Sequence, residues 1–432
     1  MELQRETEEV LGRLIRFNTV NPPGNERECQ QWLSGYLEEA GFECELLGED
    51  PERPNLVARL RSEHDGPVLG YLSHVDTVLA SPDDWSRDPW SGEVHDGFLW
   101  GRGALDMKSQ TAAEAVAGAA LAREGWRPER GELKIISVVD EETGGHMGAK
   151  WLTEQHPDLA RVDFLLNEGA GTVMPFGDRR LYGVCCAEKG TFRFAVRTRG
   201  RAGHASIPAL ADNALLHLLP LVEKLGGARV GFDLTDEPRA FITALGEDPE
   251  DPDAALRSLA EAEPRLAAMV EPALGVTFSP TIISASQKIN VVPALAELKV
   301  DCRVPPGMGA EETMARVREV LGDDDGFEVE FLEQVIGNRS PMQSELMDAI
   351  SGWVGEQDGA GEAVPVVLPA FTDSRWFRAA FPDCVAYGFF PQNAMDLFEA
   401  APLIHGADER VPVADLGLAA RFYAELAPKV LG

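Results

Sequence analysis

The sequence predicts an α/β protein: a three-layer domain around a mainly parallel sheet, interrupted by an inserted ferredoxin-like βαββαβ domain. Two observations carry this. Continuous β-branched runs such as LKIISVVD (133–140) and VDFLLNEG (162–169) alternate with helical segments, the pattern of strands covered on both faces. Between residues 190 and 338 the texture changes to strands that alternate apolar with charged residues, in the split-βαβ order.

The elements follow in order. Residues 6–17 and 26–40 have the spacing of amphipathic helices, and NLVARL (55–60) and PVLGYL (67–72) read as strands. ALDMKSQTAAEAVAGAALARE (104–124) is an Ala-rich helix with small residues on all sides, which implies burial. After the LKIISVVD strand, HMGAKWLTEQ reads as a helix and VDFLLNEG as the next buried strand. In the insert, FRFAVRTRG (192–200) has the period of a sheet with one wet face. A helix at 213–225, strands near 280–287 and 295–304, a helix at 311–321 and FEVEFLEQV (327–335) complete the set. The acidic stretch 236–275 reads as an excursion within the insert. From PMQSELMDAISGW onward the first pattern resumes, with PVVLP and VAYGFF as strands returning to the parallel sheet. The chain thus divides into 1–189, the insert 190–338, and 339–432.

Composition narrows the function. The 432 residues suffice for two or three domains. Lys plus Arg is 39 and Asp plus Glu is 72, a formal charge of −33. A surface that acidic repels phosphate backbones and anionic lipid, so nucleic acid and membrane are not expected partners; a small molecule is. The acidic start offers no signal peptide, and six cysteines without a CxxC read as reduced thiols, so the expected location is cytoplasmic.

The chemistry-bearing residues gather at strand ends. His74 follows a buried strand in GYLSHVDTV, with Asp76 two residues on, placed to accept from the imidazole as in a carboxylate–histidine–metal relay. An HxD pair also caps strand ends. Asp106, in WGRGALDMKSQ, stands between a Gly-rich turn and a helix, where an Asp also serves as an N-cap. A nucleotide loop would need Gly at that position. Asp140, Glu141 and Glu142 follow one another after the LKIISVV strand, and Glu168 ends the next one. A charge run is usually a solvated loop, but this one abuts a core strand. Open α/β sheets bind ligands beyond the carboxyl ends of their strands. Imidazole and several carboxylates gathered there, with His405 in APLIHGADERVP as a second imidazole and no thiolate, suit Zn²⁺, Mn²⁺ or Co²⁺.

Taken together, NTVNPPGNE (18–26), SHVDTV (73–78), WGRGALDMK (100–108), DEETGG (140–145), NEG (167–169), GRAGHAS (200–206), NVVP (290–293), DCRVPPG (301–307), TDSR (372–375) and HGADERVP (405–412) span nearly the whole chain. In this order they resemble the aminoacylase, carboxypeptidase G, succinyl-diaminopimelate desuccinylase and dipeptidase superfamily of co-catalytic zinc hydrolases. LPAFTDSRWFR and the HGADE tail look most like the aminoacylase branch. The resemblance implies that His74 and Glu168 bind one metal, Glu142 and His405 the other, and Asp106 bridges them. It implies a cis peptide at Asp106–Met107, Glu141 as general base and Asp76 behind His74. His204, in the insert, would stabilise the oxyanion, in many members from the partner subunit of a homodimer formed through that insert. Asn290 and Arg303 match positions that hold the substrate carbonyl and carboxylate. Read on their own, His204 is a loop histidine, and Arg303 has Asp301 two residues away as a ready partner.

The resemblance leads to a two-metal hydrolase of N-acyl amino acids. The nearest alternative is a dipeptidase or carboxypeptidase, and a more distant one is a catalytically dead binding protein of the same fold. Phe371, Trp376, Phe389 and Phe390 favour an apolar acyl pocket, although aromatics at such spacing are more often core. Ala370-Phe371 stands where many family members carry Gly-Gly, so specificity does not transfer from those members. His64, His95, His146, His156 and His217 have no matching context.

Overall fold

Alternation within single strands explains how one sheet supports two cores. Leu56, Ala58 and Leu60, Leu69 and Tyr71, and Leu133 and Ile135 join one buried cluster, while Val57, Leu72, Ile136 and Val138 between them join another. Residues i and i+2 of a strand share a face, so these two sets point to opposite sides. Helices Arg27–Ala40, Glu345–Gln357 and Val413–Leu431 pack on the first side, and Trp151–Gln155 and Ser374–Ala380 on the second.

The computed structural model describes residues 1–228, 230–323 and 326–432. They form two units, one of Met1–Cys186, Arg339–Val366 and Thr372–Gly432, the other of Ala187–Asn338 with Val367–Phe371. In the first, the strand order is Glu43–Leu47, Asn55–Arg61, Glu132–Val138, Val68–His74, Phe164–Asn167, Val385–Gly388, Arg179–Glu188 and Gly361–Leu368. The middle four are parallel. Their neighbours Asn55–Arg61 and Arg179–Glu188 run antiparallel, so the sheet is mixed, with its parallel part at the centre. The antiparallel hairpin Val173–Phe176 with Arg179–Glu188 is absent from the sequence reading. RRLYGVCCAE gives little polar alternation because nearly all of it is buried. PVVLP, in strand Gly361–Leu368, lies at the sheet's edge, beside Arg179–Glu188, and not among the parallel strands.

The Ala-rich helix runs from Lys108 to Arg123, later than expected, because residues 101–107 form a turn with Gly101 and Gly103 at positive φ. The Asp106–Met107 peptide in that turn is cis. The helix is buried on nearly all sides, packed against Glu2–Ile15 and Val413–Leu431.

The second unit has its own core, including Phe194, Val196, Leu218, Leu298, Val300 and Val317. Its elements are Phe194–Arg199, helix Ala214–Gly226, Thr277–Ser284, Leu295–Val304, helix Ala310–Leu321 and Phe327–Phe331, and its sheet is antiparallel. This is a βαββαβ order. Residues 236–275 become three short helices, Asp236–Ala244, Pro252–Ala262 and Pro264–Val270, two of them opening on Pro at the first helical position. Ile242, Ala255 and Leu274 give them a small core of their own.

Candidate metal centre

The register His74↔Val138 sets the ends of two parallel strands level. Asp140–Glu142 and Glu168 follow directly on strands of the same parallel group, and the turn before helix Lys108–Arg123 brings in Asp106. Five of the residues singled out from the sequence meet there. Nε2 of His74 lies 3.2 Å from Oδ1 of Asp106 and 3.6 Å from Glu168. Nε2 of His405 lies 2.9 Å from the other oxygen, Oδ2, of Asp106 and 3.4 Å from Glu142. Asp106 therefore offers one oxygen to each imidazole.

Nε2 of His74 and Oδ1 of Asp106 are buried polar atoms with no hydrogen-bond partner, facing each other. Such atoms call for a ligand. Zinc bound tetrahedrally through N and O at about 2.0–2.2 Å holds its ligand atoms roughly 3.3 Å apart, close to the separations above. The residues fit divalent ions. Burial, then the charge of neighbouring carboxylates, raises Glu141 and Glu168 well above the usual range and Glu142 upward. Asp106 and Glu142 push His405 up to about 10. Burial opposes ionisation of Asp106, but the two imidazoles hold it low. A cluster that drives its own members towards protonation is one that cations relieve.

His74, Glu141 and Glu168 form one candidate ligand group, and His74, Asp106 and Glu142 another. Glu141 stands back, 3.9 Å from Nε2 of His74, farther than Asp106 or Glu168. That leaves its carboxylate available for a water.

Asp76 lies behind His74 and has a second task. Nδ1 of His74 is 3.0 Å from the backbone carbonyl of Asp76 and 3.5 Å from its carboxylate. That carboxylate also accepts from the backbone N–H of Glu141 and of Glu142, both at 3.1 Å, and from Asn21 at 2.9 Å. It shapes the turn that carries the base. Gly144 and Gly145, both at positive φ, close that turn; a Cβ on Gly145 would lie 2.2 Å from Asp373. Arg375 and Trp376 donate to the Gly144 carbonyl at 2.9 and 3.2 Å.

Three further residues lie in the second unit. His204, exposed on the short strand Gly203–His204, bonds Ser206 Oγ at 2.7 Å through Nδ1. Asn290 is beside it: its carbonyl accepts from Ala205 N at 3.1 Å, and Val291 pairs with His204. Arg303 takes the partner next to it, donating to Asp301 at 2.7 and 3.3 Å and to Thr191 Oγ1 at 3.2 Å, with Phe371 5.9 Å from its guanidinium. The aromatic stretch is not one pocket. Phe389 and Phe390 are core, Phe389 packing edge-on against Phe422, and Trp376 is occupied with Gly144.

The profile of peptidase family M20/M25/M40 matches residues 70–429. The chain belongs to this family. It is an M20 metallohydrolase acting on C–N bonds. Among curated relatives, the succinyl-diaminopimelate desuccinylase of Thioalkalivibrio sulfidiphilus is 27% identical over 99% of both chains. Succinyl-diaminopimelate desuccinylase 2 of Ruegeria sp. is 32% identical over 223 residues, 51% of this chain and 54% of that one. The M20 family metallo-carboxypeptidase Sso-CP2 from Sulfolobus solfataricus shares the fold, with a TM-score of 0.73 at 19% identity over 99% of each chain. The YXEP protein of Bacillus subtilis, a dinuclear metal-binding M20 peptidase, has a TM-score of 0.63 at 15% identity over 100% of this chain and 99% of that one.

Two residues of this M20 site have no role in the sequence reading. Asn21 clasps Asp76 and, at 3.2 Å each, Asp140 and Thr143. Asp373 is buried beside the cluster, and burial first, then nearby carboxylates against His74 and Arg375, raises it to about 7. Both lie in motif blocks, NTVNPPGNE and TDSR; an acid or amide placed next to Pro-Pro or at a helix start was the available signal.

Proposed function

We propose that this M20 chain hydrolyses the amide of an N-acyl amino acid that presents a free carboxylate, with N-succinyl amino acids in its range. The observation that carries the reading is the double set His74–Glu168 and His405–Glu142 spanned by the two oxygens of Asp106, with Glu141 beside it. The full-length relative named as a desuccinylase supports the acyl class, and replaces the aminoacylase branch as the guide to substrate.

The two ions, zinc in first place with cobalt or manganese as substitutes, would be held by these five residues and supply Lewis acidity towards the amide carbonyl and a lowered pKa for water. The chain does the rest. Glu141 accepts the water proton and delivers it to the leaving amine, a role open to a carboxylate that stands 3.9 Å back from Nε2 of His74. Asp76 fixes that base through the backbone of residues 141 and 142. We assign His204 to the developing oxyanion, Asn290 to the substrate carbonyl and Arg303 to its carboxylate, on the resemblance of their motifs. We further assign a homodimer through the insert and a cytoplasmic location; among the described residues no helix is long and apolar enough to cross a membrane.

The test is amine release from N-acetyl, N-succinyl and dipeptide substrates, N-succinyl-diaminopimelate included, with metal-loaded enzyme and a chelated control. Chelator-sensitive cleavage of the acyl compounds is expected, and cleavage of dipeptides alone would make the chain a dipeptidase instead. Glu141→Gln should keep two ions per chain and lose roughly 10²–10⁴ in kcat; turnover near wild type would remove Glu141 from the mechanism.

A further inference from the structure

Arg102 and Glu409 take no part in the chemistry above, yet they are among the most deeply buried charges in the chain, at 2% and 0% exposure. Each stands four residues from a candidate ligand, Arg102 before Asp106 and Glu409 after His405. Their side chains are exchanged between the two loops. Glu409 accepts from the backbone N–H of Gly103 at 3.1 Å, Leu105 at 2.6 Å and Asp106 at 3.0 Å, which organises the loop that carries Asp106. Arg102 donates to the carbonyls of His405 at 3.2 Å, Gly406 at 3.0 Å and Leu79 at 3.2 Å, which organises the loop that carries His405. The two then meet, Nη1 to Oε2, at 2.6 Å.

Burying an ion pair costs desolvation that attraction alone often fails to recover. Here most of the other hydrogen bonds of each partner go to the loop that carries the other partner's neighbouring ligand. The need for such a hold is visible in the ligands themselves. His74 ends a central strand and is 1% exposed, so packing fixes it. The His405 side chain is 51% exposed, on a loop where its own φ is 60°. Packing does not fix His405; the guanidinium on its carbonyl does.

We propose that Arg102 and Glu409 are positioning residues that set the spacing of His405 from Asp106, and so the affinity for the ion held by His405 and Glu142. This rests on the assignment of Asp106, Glu142 and His405 as ligands, and the experiment separates the two. The full chain, stripped of metal, is titrated with Zn²⁺ against a chromophoric chelator as wild type, His405→Ala, Arg102→Lys and Glu409→Gln, and thermal unfolding of each apo protein is recorded. Lysine keeps the charge facing Glu409 but has no fork to span three carbonyls. Wild type should bind two ions and His405→Ala one. Arg102→Lys should bind one ion as wild type does and the second about 10–100-fold more weakly, and Glu409→Gln should weaken that same ion. Should Glu409→Gln fail to fold, Arg102→Lys carries the test. Two ions of wild-type affinity in Arg102→Lys would overturn the proposal while leaving the ligands in place. So would equal weakening of both ions with a lowered apo Tm, the signature of a merely structural pair. Fewer than two ions in wild type, or two in His405→Ala, would overturn the ligand assignment and the proposal with it.

Discussion

Asn21 shows how much a single neutral side chain can do between charges. Asp76 and Asp140 are both buried, and the Asn21 amide reaches an oxygen of each. Arg53 adds the cationic contact, 3.4 Å from Asp140 and paired with buried Glu26. Asn21→Ala leaves the two carboxylates without that shared donor and frees the turn that presents Glu141. We expect kcat to fall about 10–100-fold with KM changed far less, measured on the best acyl substrate. An unchanged kcat would show that Asp76 orders the turn alone. The ligands were legible in the sequence because imidazoles and carboxylates at the ends of buried strands are chemically conspicuous. Asn21, Arg102 and Glu409 were not. Their roles exist only where three distant segments meet, and an Asn before prolines or an Arg in a Gly-rich turn has ordinary local explanations. Asp76 was legible as a partner of His74, but its hold on the backbone of Glu141 and Glu142 was not, since those residues are distant in sequence.

At the scale of elements, the central strands were readable because burial on both faces leaves an unbroken apolar run. The same burial hid the 173–188 hairpin, whose apolar run has no flanking helix to mark it. The Ala-rich helix was read as buried, and it carries a consequence in Glu114. Burial raises this carboxyl to about 8, against bonds from Gln110 and Ser73 that lower it. The folded state thus holds its proton to higher pH than the unfolded chain does. The stability that this group contributes is complete below the unfolded pKa near 4.5 and is lost as pH rises through about 8. Glu114→Gln, which mimics the protonated form, should match wild type in Tm near pH 4, exceed it by a margin that widens from about pH 5 to 8, and keep that margin above it. Parallel Tm curves for the two proteins across that range would show that Glu114 ionises freely.

The whole molecule carries an unfinished edge. Strand Thr277–Ser284 pairs on one side with Leu295–Val304 and exposes Ile282 at 56% and Ile283 at 49%. Helix Ala214–Gly226, packed on the same strand, exposes Leu216 and Leu219. An apolar edge of this kind invites pairing with a second copy. Sedimentation at micromolar concentration should show a dimer, and Ile282→Asp with Ile283→Asp a monomer; a monomeric wild type would end the dimer assignment.

The insert's two ends also touch. Glu188 N donates to Asn338 O at 3.0 Å, and Gly190 and Gly337 approach so closely that a Cβ on Gly337 would lie 2.2 Å from the Glu188 carbonyl. A detour whose doorway is that narrow can change in length without stretching the sheet it leaves, since the entropy of closing a longer loop grows only with the logarithm of its length. In evolutionary terms, the doorway lets the catalytic sheet stay fixed while what is hung upon it is rebuilt.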